Sequence, residues 1–161
     1  MTQAPLLSVE DTGSILRLTL MRGRQRNPLS MVMLDEIVAA LEAAEADRSV
    51  RAIVIAGEAP GFCGGQDLKE MTSHRTDGDG GRAYYEALFA RCSEMMQMIV
   101  AHPKVIIAEV NGIATAAGCQ LVAACDMAVA GASAQFGVNG INSGLFCSTP
   151  MVALSRNIGR K

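Results

Sequence analysis

The stretch KVIIAEVNGIATAAGCQLVAACDMAVA, Lys104–Ala130, decides the fold. Lys104–Val110 is an apolar run of strand length, and it delivers the chain into a glycine-containing loop at Asn111-Gly112. The small residues that follow open into a helix that carries Gln120 and runs to about Cys125, and Met127–Gly131 is a further strand. Strands alternating with helices predict an α/β fold with a largely parallel sheet.

Upstream, the same grammar holds. Ile15–Leu20 alternates, with Leu16, Leu18 and Leu20 on one face and Arg17 and Thr19 on the other. The loop RGRQRNPLS ends in Ser30, a suitable N-cap for a helix over Met31–Ala46 whose Leu34, Ile37, Val38 and Leu41 recur at helical spacing. Ala52–Gly57 is a short buried strand, followed by a glycine-rich loop over Glu58–Asp67. Asp67 and Glu70 stand at capping-box spacing for the next helix. Ser73–Gly81 is polar and glycine-rich and is expected to be mobile. Tyr85, Leu88, Phe89, Cys92, Met95, Met96 and Ile99 then mark one apolar helix stripe, ended by His102-Pro103. Beyond Gly131 a long loop leads to a last helix, with Ser148 or Thr149 as its cap, Pro150 in its first turn and Gly159 at its end. No internal sequence repeat is visible.

Composition sets the bounds. The 161 residues, half of them hydrophobic and 19% charged, suit one globular domain spanning 1–161. A net charge of −2 gives no reason to expect nucleic acid or an anionic membrane as a partner. Arg22, Arg24 and Arg26 cluster in one loop, either to hold phosphates or as a solvated surface. The five cysteines include no C-x-x-C pair and sit mostly among apolar residues. They point to a reducing compartment, with the cytoplasm as the expected location, and away from disulfides or zinc. The two histidines lie far from metal-like spacing, so no metal is expected. No signal-peptide pattern opens the chain, and no apolar run is long enough to span a bilayer.

The chemistry lies in two loops, GFCGGQD and NGIATAAGCQ, each leaving the carboxyl end of a strand and running into a helix. Free N–H groups at a helix start carry partial positive charge, and small residues let a ligand oxygen approach the backbone. Facing one another, the loops would form an oxyanion hole with one N–H from each, able to stabilise a thioester enolate or a tetrahedral intermediate. Rival motifs are absent. There is no G-x-x-x-x-G-K-[ST] phosphate loop, GFCGGQ misses the dinucleotide spacing, and Gly140–Gly144 has its serine one place too late for a nucleophile elbow.

The order of these motifs carries a resemblance. GFCGGQDLKEM (Gly61–Met71), HPKVIIAEVNGIATAAGCQLVAACDMAVA (His102–Ala130) and AQFGVN (Ala134–Asn139) resemble the enoyl-CoA hydratase/isomerase, or crotonase, family. RQRNPLS matches that family's Asn-Ala-Leu segment, so the resemblance covers essentially the whole chain. The final SGLFCSTPMVALSRNIGRK is similar to the family's domain-containing-protein-3 branch. The resemblance implies a ClpP/crotonase spiral of ββα units and, as ligand, an acyl group carried on coenzyme A. Coenzyme A enters as part of the substrate, and no separate cofactor is implied. By the same resemblance the oxyanion donors are the N–H groups of Gln66 and Ala117. Gln66, Asp67, Leu68 and Lys69 line the coenzyme A, and Arg24 and Arg26 stand where basic contacts to its phosphates occur.

Hydratases of this family use two glutamates, and the matching positions here are Gln120 and Gly140. Losing one positioned acid or base costs roughly 10²–10⁴-fold. The resemblance therefore implies an acyl-CoA-binding member of fatty-acid metabolism whose ordinary hydratase activity is low or absent. Two alternatives stand beside it. One is an isomerase, thioesterase or decarboxylase that relies on the oxyanion hole, with Glu109 or Asp67 as acid/base. The other is a non-catalytic interaction subunit. Asp126, six residues beyond Gln120, is expected on another helix face about 9 Å away. Family members continue past Lys161 into helices that close the acyl pocket and build trimers. The C-terminal helical part is thus expected to be missing, and a homotrimer or hexamer is expected only where that part is present.

Overall fold

Alternation along Ile15–Leu20 becomes burial. The computed structural model, which describes residues 5–159, places Leu16, Leu18 and Leu20 in the core and leaves Arg17 and Thr19 half-exposed on the other face. Lys161, where the chain stops, lies outside the described residues. In chain order the strands are β1 (Leu7–Asp11), β2 (Ile15–Leu20), β3 (Ala52–Gly57), β4 (Val105–Val110), β5 (Ile113–Thr115), β6 (Met127–Ala130) and β7 (Gln135–Gly137). The helices are α1 (Met31–Ala46), α2 (Leu68–Ser73), α3 (Arg82–Ala101), α4 (Ala117–Ala124) and α5 (Ser148–Asn157).

A mostly parallel sheet runs β1-β2-β3-β4-β6, with only β1 antiparallel to its neighbour. Register sets the core layers: Leu18 lies beside Ile55, and Ile55 beside Ala108, all facing the helices. A second, narrower strip of backbone pairs runs alongside. Leu29 bridges Gln66, Cys63 bridges Ala114, and β5 pairs with β7. Each long strand is therefore followed by a short extended piece in this strip and then by a helix. That is the expected spiral of ββα units, built without any repeat in sequence.

Helix α1 starts where Ser30 accepts from the Met33 N–H and buries Met33, Leu34, Ile37, Val38 and Leu41. Cutting Leu41 back to alanine in such a core costs about 2–5 kcal/mol. Its far end is closed by His102, hydrogen-bonded to the Leu41 carbonyl, and by the Lys104 ammonium donating to the Ala44 and Asp47 carbonyls.

Several expectations need correction. The three-residue strands β5 and β7 and the edge strand β1 were not foreseen, because pieces so short carry little alternation of their own. Phe89 is 52% exposed, so the buried stripe of α3 narrows to Leu88, Cys92, Met95, Met96 and Ile99. Ser148 is the first helical residue of α5, Cys147 takes the cap position without a side-chain bond, and the helix ends at Asn157, short of Gly159. The polar segment Ser73–Gly81 contains a 3₁₀ turn, His74–Thr76, with the His74 ring stacked 3.7 Å from Tyr84 and bonded to Asp77. Among the described residues no helix is long and apolar enough to cross a membrane, and no cluster of three ligating side chains could hold a metal.

Candidate functional site

One buried side chain shapes the first loop. Asn27 is fully buried at φ 49°, and its amide nitrogen donates to the carbonyls of Glu58, Gly61 and Phe62. Its oxygen accepts from the Arg22 N–H. The loop after β3 is thereby tied to the segment after β2. The tie continues as Gly64 N–H donates to the Arg26 carbonyl (2.6 Å), Leu29 N–H to Gly65 (2.8 Å) and Asp67 N–H to Leu29 (3.2 Å). Asp67 then caps α2 by accepting from the Lys69 and Glu70 N–H groups. Glu70 does not complete a capping box, because its carboxylate accepts from the Met31 N–H at the start of α1.

The second loop lies on the other side of the first. Cys63 N–H donates to the Ile113 carbonyl, Thr115 N–H to Cys63, and Ala116 N–H turns away to Gly137. Peptide groups in extended chain alternate sides. Gln66, between Gly65 and Asp67 that both bond Leu29, turns its N–H toward the second loop. Ala117, following Ala116, turns its N–H back toward the first. Neither amide has an acceptor among the described residues. Two backbone features permit the approach. Gly65 adopts φ 91°, and a Cβ there would lie 3.1 Å from the Ala116 Cβ and 3.3 Å from the Ala117 nitrogen. Ala116 itself is held at φ 51° and ψ −121°, a conformation that costs an L-residue about 1–3 kcal/mol. Two free donors thus flank one gap, and Ala117 is also the first residue of α4, where the helix dipole adds positive potential. Such a pair is suited to an oxygen on which negative charge develops.

The side chains around the gap are less conventional. Gln120, one turn into α4, has its Oε1 sequestered without a hydrogen bond among the described residues. Gly140 lies in a 3₁₀ turn where a Cβ would fall 2.6 Å from the Cys147 Sγ and 2.8 Å from the Leu145 carbonyl oxygen. A larger residue cannot enter without moving that backbone. Glu109 points to the outer face of the sheet and receives two hydrogen bonds from Arg17, at 2.8 and 2.7 Å. Those bonds hold its carboxyl below the ordinary glutamate range, against the opposing effect of burial. Asp126 accepts from the Ile106 N–H and serves the backbone of β4. Of the carboxylates weighed as substitutes, then, Glu109 and Asp126 face other tasks, and Asp67 is committed to its cap and to Arg22.

The basic loop divides in two. Arg22 reaches Asp67 at 3.4 Å, a contact the sequence did not suggest. Arg24 and Arg26 are exposed, and Arg26 borders a cleft of about 280 Å³ with Gly61, Ile113 and Gln135. Leu68 and Lys69 are exposed on α2 beside the gap. An apolar cavity of about 480 Å³ lies elsewhere, between β1 and α1. Two further residues went unnoticed in sequence. Asn27 was quoted only as part of a segment. Tyr84, at the start of α3, looked like helix surface, yet its hydroxyl is sequestered and, first by burial and then by Glu70 and Asp67, raised above the usual phenol range. A lone Tyr at a helix start carries no signal that would have singled it out.

Comparison with known proteins agrees with this geometry. The sequence profile described as "Enoyl-CoA hydratase/isomerase" matches residues 10–161. The chain is 45% identical over 156 residues to "Enoyl-CoA hydratase domain-containing protein 3, mitochondrial" of Rattus norvegicus, covering 97% of this chain and 50% of that protein. It is 37% identical over 131 residues to "2,3-dehydroadipyl-CoA hydratase" of Escherichia coli, covering 81% of this chain and 48% of the relative. Among solved structures, an enoyl-CoA hydratase of Mycobacterium smegmatis superposes with a TM-score of 0.88 at 52% identity, over 97% of this chain and 59% of that one. Human enoyl-CoA hydratase domain-containing protein 3 gives 0.85 at 41% identity, over 94% and 58%. The chain spans about half the length of the curated relatives it matches.

Proposed function

The chain belongs to the enoyl-CoA hydratase/isomerase family and has its crotonase fold, and on that premise we propose that it binds acyl-CoA thioesters with the thioester oxygen between the Gln66 and Ala117 N–H groups. The observation that carries this reading is the pair of free amides turned toward one gap. Leu68 and Lys69 on α2 would run beside the coenzyme A, and Arg24 and Arg26 are the exposed cations nearest in sequence for its phosphates. Fatty-acid metabolism is the proposed setting. Five free cysteines favour a reducing compartment, with the cytoplasm proposed.

Hydration of a 2-enoyl thioester needs one group to take a proton from water and another to protonate Cα. Bound amides stabilise the intervening enolate but transfer no protons. Gln120 is neutral and Gly140 has no side chain, so we infer binding with hydration at least 10⁴-fold below a two-glutamate enzyme, since each missing group costs roughly 10²–10⁴-fold. Isomerase, thioesterase or decarboxylase chemistry through Glu109 is disfavoured by its paired position on the outer sheet face. Calorimetric titration with crotonyl-CoA, followed by an assay of its hydration, tests both halves. Saturable binding with little turnover is expected. No binding removes the first half, and rapid hydration removes the second.

A further inference from the structure

Three side-chain atoms among the described residues are sequestered and polar yet lack a hydrogen-bond partner: Gln66 Oε1, Gln120 Oε1 and the Tyr84 hydroxyl. A buried polar atom left unpaired is costly, so such atoms in a folded protein call for a reason. These three are not scattered. Gln66 contributes one of the free amides, and its side chain lies beside the Cys92 thiol on α3. Tyr84 stands on the same face of α3, two turns earlier through Leu88, and lies against Asp67 and Glu70 of the same loop and helix start. Gln120 is in the first turn of α4, and side chains on a helix lean toward its N-terminus, here toward Ala117 and the gap. The orphaned atoms therefore come from the elements that meet around the candidate thioester site.

Their chemistry is specific. Each glutamine oxygen accepts and cannot donate, so it needs a partner carrying O–H or N–H. A hydrocarbon chain leaves both unsatisfied. A carboxylate offers only acceptors, and the Asp67 and Glu70 carboxylates lie nearby. A neutral hydroxyl meets both demands at once, because it donates to an amide oxygen and accepts from the Tyr84 O–H.

We propose that the site selects thioesters whose acyl group carries a neutral hydrogen-bond donor, a hydroxyl or an amide, over plain hydrocarbon and over carboxylate-bearing acyl groups, and that Gln120, Gln66 and Tyr84 make this selection. The proposal rests on the acyl-CoA reading above. Sites built to bond a hydroxyl reject analogues lacking it, because their own polar groups are then left unpaired.

The test is a calorimetric comparison of butyryl-CoA, 3-hydroxybutyryl-CoA and glutaryl-CoA with the intact chain. 3-Hydroxybutyryl-CoA is expected to bind about tenfold more tightly than either of the others, the scale of one or two well-made hydrogen bonds. Gln120→Leu is expected to bring the hydroxyacyl and plain acyl thioesters within about threefold of each other. Tyr84→Phe, which keeps the ring stacked on His74, gives a second reading should the leucine variant fold poorly, and it too should shrink the ratio. Equal affinity for all three thioesters overturns this inference and leaves the acyl-CoA reading standing. Tightest binding of glutaryl-CoA overturns it as well, since that is the preference of amides presenting N–H groups instead of oxygens. Binding of none of the three removes the acyl-CoA reading and this inference with it.

Discussion

Gly140 is more than a missing glutamate. Its neighbours Cys147 and Leu145 fill the space a Cβ would take, so the turn has closed over the position. Gln120→Glu alone is predicted to restore little hydration, because one carboxylate performs half of the proton transfer. Adding Gly140→Glu is predicted to fail too, and to lower the thermal midpoint by several degrees, because a side chain there overpacks the turn by about 1–3 kcal/mol. Paired hydration assays and melting curves check both variants, and recovery of activity in the double mutant without loss of stability would show that the turn adapts. Glu109 gives a prediction of the opposite kind. Its carboxyl is depressed chiefly by the hydrogen bonds from Arg17, so its contribution to stability is complete above about pH 4.3, the ordinary glutamate value, and is lost as pH falls through the lower folded-state value. The side chain is 47% exposed, so the loss should be no more than about 1 kcal/mol and absent in Glu109→Gln. Acyl-CoA affinity should not follow that titration. Matched denaturant melts at pH 3 and pH 7 read it.

At the scale of elements, the site is positioned by segments that are hardly elements at all. Helix α1 and strands β2 and β3 are legible to the residue, because long amphipathic or alternating runs leave one reading. Strands β5 and β7 are only three residues each and owe their extended form to partners distant in sequence. The loop residues that would hold the thioester were legible only through motif order. The tie at Asn27 was not, since one polar residue in a loop looks solvated until its three acceptors are seen. Asn27→Ala leaves buried carbonyls of Gly61 and Phe62 unpaired and is predicted to cost about 3 kcal/mol and to weaken acyl-CoA binding by loosening Gly64–Gln66. Denaturant midpoints and thioester titration measure the two effects. Ala116→Gly should act the other way on stability, gaining up to about 1 kcal/mol, because glycine adopts positive φ without strain.

The whole molecule is covered on one side only. Ile141, Leu145, Phe146 and Val152 near the last helix, and Met127 and Val129 on the edge strand β6, are each about half exposed or more. Apolar surface of that extent marks a contact region, and we propose that further chain or further copies cover it, a homotrimer or hexamer being the family-like arrangement. Light scattering on this chain is expected to give association or aggregation, and a soluble monomer at high concentration would contradict that. The central claim concerns the two amides. Nuclear magnetic resonance of ¹⁵N-labelled protein titrated with crotonyl-CoA follows them one by one. Saturating downfield shifts of the Gln66 and Ala117 amide protons together, larger than those of amides already bonded such as Thr115, are the predicted result. Binding that shifts other residues and leaves both of these amides in place would contradict it.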